Sequence, residues 1–254
     1  MSTVIAEPGP ARSPARHRGR RPSRGARIVG VLGELLLTAG VLLGLFVVWQ
    51  VWWTDVVAGR EQDTVVAQLK ESYAAPAVEA TAQPRTDPPP TVAPVPEGQG
   101  FATLHVPRWG SDYEVAVAEG VGLRTVLNTG AAGHYPGTAM PGELGNFALA
   151  AHRQTHGAAF HGVDKLRPGD PLVVETADAW LVYRVTDSDV VTPDEVDVIA
   201  PVPGEPGAQP TARTITLTTC HPLWSVAERW ITHGELTEWY PRAEGMPAEL
   251  LEGN

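Results

Sequence analysis

One cysteine, Cys220, is all that the 254-residue chain contains. With no second thiol there is no intramolecular disulfide and no cysteine-based zinc site. An HExxH motif is missing too. His156 and His161 follow His152 closely but complete no metal-ligand pattern, and no metal is expected. No segment repeats at a fixed period, which excludes a solenoid or repeat array. Basic charge is scarce past the first 53 residues: from residue 54 onward 12 Lys plus Arg stand against 27 Asp plus Glu, a net charge of −15. Such a surface repels phosphate backbones, so a nucleic-acid partner is excluded.

The basic charge is concentrated where it has topological meaning. Residues 1–27 hold seven arginines against a single acid, Glu7. Directly after them, Ile28 to Trp53 form 26 nearly uninterrupted apolar residues, and about 20 helical residues suffice to cross a bilayer's hydrocarbon core. Glu34 lies near the arginine-rich end, where it can reach headgroup water, and Trp49, Trp52 and Trp53 suit the opposite interface. A cleavable signal peptide has a shorter apolar stretch, about 7–15 residues, ending in small residues; this run ends in Trp-Trp. A buried core helix is the bland alternative, and the arginine flank argues against it. The expectation is a retained single-pass helix in the cell membrane over 28–53, contacting lipid, with residues 1–27 cytoplasmic and the remainder extracytoplasmic.

Residues 54–99 start with mixed charge and some helical character, then become a run of Ala, Pro, Thr and Val that includes Asp87-Pro88-Pro89-Pro90. That composition predicts a semi-extended spacer without a packed core. From 100 to 242 the texture changes to short β-like segments punctuated by Gly, Pro and Asp. Strands are expected over Phe101–Val106, Tyr113–Ala118, Asn146–His152, Pro171–Glu175, Trp180–Thr186, Thr214–Cys220 and Arg229–Leu236. Long amphipathic helical patterns are scarce here, so this one domain reads as mainly all-β, a closed barrel or a sandwich. The tail, 243–254, is expected to add little.

A free thiol outside the membrane is open to oxidation and needs a reason to exist. A small buried core residue would be one. The neighbours suggest another. Thr214 to Thr219 alternate as a strand should, and Cys220-His221-Pro222 stops it, because proline cannot continue a ladder. If Arg229-Trp230-Ile231-Thr232 returns antiparallel, Arg229 comes level with Cys220, where a guanidinium favours thiolate and can donate to an oxyanion. A surface ion pair of Arg229 with Glu228 or Glu235 is the alternative. Asn146 to Ala151 form an apolar strand pattern that ends at His152. Acyl transfer through a thiol needs an acid for the departing amine and then a base for the incoming nucleophile, and imidazole serves both. His221 is a second candidate base, but adjacent strand residues point to opposite faces.

These residues resemble the sortase family. Thr216-Leu217-Thr218-Thr219-Cys220 matches its TLxTC signature, with an arginine nine positions later and an upstream histidine at a strand end. Three blocks are similar to class E sortases of high-GC Gram-positive bacteria: His134 to Gly142 (HYPGTAMPG), Asn146 to Arg153, and Cys220-His221-Pro222 followed by Ser225 and Glu228 to Ile231. Ala151 stands where many members carry Gly. The resemblance implies an eight-stranded sortase β-barrel and no organic cofactor. It implies that Cys220 attacks the Thr–Gly carbonyl of a C-terminal sorting signal on a secreted protein, His152 protonates the leaving amine, and Arg229 stabilises the oxyanion. A peptidoglycan-precursor amine such as that of lipid II then takes the acyl group. It further implies substrate contacts from Tyr135, associated with Leu-Ala-x-Thr-Gly preference over Leu-Pro-x-Thr-Gly, and from Thr219. A tyrosine that caps the barrel is the plainer reading of Tyr135.

Two rivals remain. A pilin-polymerising sortase would use a lysine acceptor; such enzymes often carry a second, C-terminal membrane segment, and Arg242 to Asn254 contains none. A catalytically silent module that binds wall peptides or a protein would lack a triad member, and all three are present. Other thiol peptidases place the cysteine at a helix start rather than a strand end.

Overall fold

The computed structural model describes residues 24–73 and 81–251. Most of the arginine-rich tail, residues 74–80 of the expected spacer and the last three residues therefore lie outside the described residues. The first helix, α1 (Arg24–Ser72), carries the apolar run. Its stretch Arg27–Gln50 has a mean hydropathy of 2.4 and no buried residue, and it is long and apolar enough to cross a membrane. Within it the Thr38 hydroxyl donates to the Glu34 carbonyl at 2.8 Å, so this polar atom has its partner inside the helix. The chain divides into two units, up to Val48 and from Trp49 onward.

The second unit is a closed eight-stranded barrel. Its strands are β1 (Gly100–His105), β2 (Glu114–Glu119), β3 (Ala132–His134), β4 (Gly145–Ala150), β5 (Pro171–Glu175), β6 (Ala179–Val191), β7 (Arg213–His221) and β8 (Glu228–Pro241). Around the barrel the order is β1, β2, β3, β4, β7, β8, β6, β5. The pairs β2–β3 and β4–β7 are parallel and the rest antiparallel. Inward residues such as Leu104, Val117, Phe147, Leu149, Leu172, Leu181, Ile215 and Leu217 fill the interior. Closure leaves no free edge to pair with another chain.

Among the departures of the strand pattern from sequence expectation, three have a plain tertiary reason. The three-residue β3 is too short to show alternation, yet it is fixed by β2 on one side and β4 on the other. Strand β6 runs past Thr186 through the polar Asp187-Ser188-Asp189, because β8 pairs with it as far as Val191 opposite Arg229; pairing overrides propensity here. Strand β4 ends at Ala150, so His152 lies just beyond it.

Segments expected to be idle are packed on the barrel. Arg85 and Trp239 exchange main-chain hydrogen bonds, both 2.9 Å, and the Trp239 indole donates to the Asp87 carbonyl at 2.8 Å. Val92 and Val95 pack against the core. The tail does more than the sequence suggested: Arg184 pairs with Glu249 on the short helix α2 (Ala248–Leu251), and Met246 and Leu250 cover a second apolar cluster around Trp180 and Tyr240. The last part of α1 also belongs to this unit, with Ala58, Val66 and Tyr73 buried.

Candidate active site

Strand β7 ends at a chemically exposed position. Alternation sends Ile215 and Leu217 into the core, and so puts Thr216, Thr218 and Cys220 on the opposite face. The strand stops after His221, since Pro222 has no N–H to give. Cys220 is thus half-buried at the barrel rim, a free thiol. On one side β8 returns with Arg229 directly opposite Cys220, and cross-strand partners project to one face. On the other side β4 runs parallel to β7 with Ala150 opposite Thr218. The pairing goes one step further: the Ala151 N–H donates to the Thr218 carbonyl at 3.2 Å, and the Thr219 hydroxyl donates to the Ala151 carbonyl at 2.7 Å. His152 comes next. Cysteine, arginine and histidine therefore stand at the same end of the three neighbouring strands β4, β7 and β8.

Two of the three, Arg229 and His152, are held by hydrogen bonds. The Arg229 Nη1 donates to the carbonyls of Val226 and Glu228, both at 2.9 Å, which fixes the guanidinium against the loop that follows the cysteine. The His152 Nε2 is hydrogen-bonded to Asn128 Oδ1 at 2.9 Å; an amide oxygen accepts only, so this nitrogen carries the hydrogen. The His152 ring also stacks on His156, centroids 5.2 Å apart. Burial lowers the His152 pKa below the usual imidazole range, and the nearby charge of His156 lowers it further. A neutral imidazole, able to accept a thiol proton, is the favoured state near neutral pH. The loop that carries His156 is strained: Thr155, His156 and Ala158 have φ of 66°, 49° and 46°, a region that costs non-glycine residues about 1–3 kcal/mol each.

A second layer lies behind. Arg153 is buried, and its Nη1 donates to His221 Nδ1 at 2.8 Å. It pairs with Asp164 at 3.3 Å and lies over the Trp230 ring at 5.3 Å. A guanidinium only donates, so His221 accepts this bond at Nδ1. The Tyr135 hydroxyl meets the Thr218 hydroxyl at 3.0 Å, on the same face as Cys220 and two residues away. The turn behind Tyr135 is fixed by buried His134, which contacts Glu119 at 2.6 Å and Thr138 Oγ1 at 2.9 Å. Thr219 is not on this face. It is buried and bonded to Ala151, so its hydroxyl ties β7 to the end of β4. Asn128, 24 residues before His152, and the Arg153 clamp are not legible in the sequence. Neither has a local pattern to mark it.

A closed barrel of this topology with a thiol, a guanidinium and an imidazole at one rim defines a cysteine transpeptidase of the sortase type. The description "Sortase domain" matches residues 104–237, and the chain belongs to the sortase family. Sortase SrtE2 of Streptomyces coelicolor is 41% identical over 227 residues, covering 85% of each chain. Among solved structures, sortase E1 of Streptomyces coelicolor, with a tripeptide in its active site, is 45% identical with a TM-score of 0.56, covering 60% of this chain and 97% of its own. The SrtA sortase of Actinomyces oris is 44% identical with a TM-score of 0.63, covering 66% and 96%. The likeness is to class E sortases.

Proposed function

We propose that this sortase cleaves a C-terminal Leu-Ala-x-Thr-Gly-type or Leu-Pro-x-Thr-Gly-type signal between Thr and Gly. It then joins the secreted protein to a peptidoglycan amine while anchored in the membrane by α1. The observation that carries this reading is the register that sets Cys220 opposite Arg229, with His152 at the end of the adjoining strand. As Cys220 Sγ attacks the Thr carbonyl carbon, its proton passes to His152, and the carbonyl oxygen becomes an oxyanion that Arg229 can hydrogen-bond. When the C–N bond breaks, His152 gives that proton to the Gly amine, leaving a thioester on Cys220. The acceptor amine attacks the thioester, its proton goes to His152, and the thiolate departs. General acid–base help of this kind contributes roughly 10²–10⁴-fold, and one oxyanion donor roughly 10²–10³-fold.

Tyr135 supports discrimination at the residue before x, since a phenol beside Thr218 can bond an alanine amide that proline lacks. Thr219 acts on substrate only through the strand end that it fixes. The test is mass spectrometry of the purified enzyme with a Leu-Ala-x-Thr-Gly peptide and a peptidoglycan-type amine. A transfer product, lost in Cys220→Ala and His152→Ala and made at least tenfold more slowly by Arg229→Ala, is expected. Turnover by Cys220→Ala at the wild-type rate would defeat the mechanism.

A further inference from the structure

The residues around His152 lead back to the helix that carries the apolar run. Asn128 sits in a single tight turn, Leu127–Thr129, closed by Gly130 in the left-handed conformation at φ 88°. That turn is bolted to α1: Gln62 Nε2 donates to the Gly130 carbonyl at 2.6 Å, and the Ala116 N–H of β2 donates back to Gln62 Oε1 at 3.3 Å. The loop holding His156 meets the same part of the helix. A Cβ on Gly130 would lie 3.0 Å from Gln62 Cγ, 3.3 Å from the Ala58 carbonyl and 3.4 Å from the His156 carbonyl. One on Gly157 would lie 3.5 Å from both Ala58 Cβ and Gly130 Cα. Both glycines have positive φ, so neither admits a side chain without strain. Ala58 is buried in this contact.

We infer that Asn128 is a positioning residue for His152, and that α1, through Gln62 and Ala58, holds the two loops from which Asn128 and His156 meet the imidazole. The inference rests on His152 as the proton carrier. The Asn128 amide fixes which ring nitrogen is protonated, leaving Nδ1 as the basic nitrogen. Neighbouring strand ends place Cys220 and Arg229 at the same rim, and His156 is the titratable group in ring contact. A chain cut after α1 would keep the barrel and lose the support of both loops. The helix is then part of the catalytic apparatus as well as a tether.

The test uses the full chain in detergent micelles with Asn128→Ala, Asn128→Asp and Gln62→Ala. Transfer from a Leu-Ala-x-Thr-Gly peptide to a glycine amine gives kcat and KM, and unfolding curves check the fold. Histidine titration is followed by NMR on 13C-histidine-labelled chain carrying Cys220→Ala. Asn128→Ala is expected to lower kcat about tenfold, a part of the roughly 10²–10⁴-fold that acid–base catalysis supplies, with KM changed less than about twofold and the fold intact. Asn128→Asp places a carboxylate on Nε2–H and is expected to raise the His152 titration by about one pH unit. Gln62→Ala is expected to lower kcat in the same sense but less. Wild-type kcat and an unmoved His152 titration in both Asn128 variants overturn the role of Asn128, and a silent Gln62→Ala overturns that of the helix. If His152→Ala itself transfers at the wild-type rate, the proton-carrier reading fails instead, and the NMR arm still decides whether Asn128 holds the ring.

Discussion

Replacing Arg153 tests whether the layer behind Cys220, His152 and Arg229 works by shape and charge together. The guanidinium donates to His221 at 2.8 Å, which a charged donor makes worth about 1.5–3 kcal/mol. It lies 5.3 Å from the Trp230 ring, a contact of about 0.5–2 kcal/mol. Its pair with Asp164, a carboxylate 47% exposed, adds about 0–1 kcal/mol. Against these stands a buried Nε with no hydrogen-bond partner, a liability of about 1–3 kcal/mol. Arg153→Met removes the gains and the liability together, leaving a net loss of about 1–3 kcal/mol. Arg153→Lys keeps a buried charge but loses the planar fork that reaches His221 and Asp164 at once. The substitution that looks conservative is therefore expected to be the more damaging, by about 1 kcal/mol or more. Urea unfolding followed by tryptophan fluorescence gives the order. A lysine variant as stable as wild type, or more stable than the methionine variant, would refute the reasoning.

Three further outcomes follow from the structure. Burial pushes the Glu175 carboxyl up, but hydrogen bonds from His105 and Arg242, with the nearby charges of His105 and Lys70, outweigh it and hold its pKa below the ordinary value; burial lowers His152 and His233 below theirs. Groups depressed on folding stabilise above their unfolded pKa, so stability measured against pH should begin to fall below about 6.5 as the histidines must charge. It should fall again below about 4.3 as Glu175 and then Asp170 protonate, and Glu175→Gln should lessen the second fall while lowering stability at pH 7. A Cβ at Gly133 would lie 2.4 Å from the Gly120 carbonyl oxygen, backbone against backbone, so Gly133→Ala should cost about 1–3 kcal/mol of overpacking in chemical denaturation; an unchanged midpoint would contradict the β2–β3 packing. Tyr135→Phe loses the 3.0 Å bond to Thr218 and should raise KM for a Leu-Ala-x-Thr-Gly peptide several-fold while leaving a Leu-Pro-x-Thr-Gly peptide nearly unaffected. Equal effects on both peptides would leave the phenol a structural cap.

What the chain disclosed before folding was what it encodes locally. Cys220 and Arg229 are legible because a strand, a proline stop and a returning strand occupy one short stretch, and alternation alone puts both on one face. His152 is legible as the end of an apolar strand. Asn128 is not, because its bond to His152 depends on how the β2–β3 connection folds over the end of β4, and Gln62 reaches the same turn from 68 residues upstream of Gly130. A strand three residues long has no period to read, and β6 goes on through Asp187-Ser188-Asp189 only because β8 is beside it.

The Pro-rich stretch shows why composition misleads in the other direction. Residues rich in Pro, Ala and Thr bury too little to fold alone, which is the basis for reading them as a spacer. Beside a preformed barrel the balance changes, since the partner surface is already ordered and only the segment's own entropy must be overcome. Proline lowers that entropy in the unfolded chain, and it needs no ladder partner for an N–H it does not have. The two main-chain bonds between Arg85 and Trp239 supply the pairing, while Val92 and Val95 supply the apolar contact. Proline content marks a segment that cannot build a sheet; it does not mark one that cannot lie against a sheet built by others. On that argument, an enzyme prepared without residues 81–99 should lose stability even though every barrel strand is retained, and its unfolding midpoint against that of the full chain measures how much.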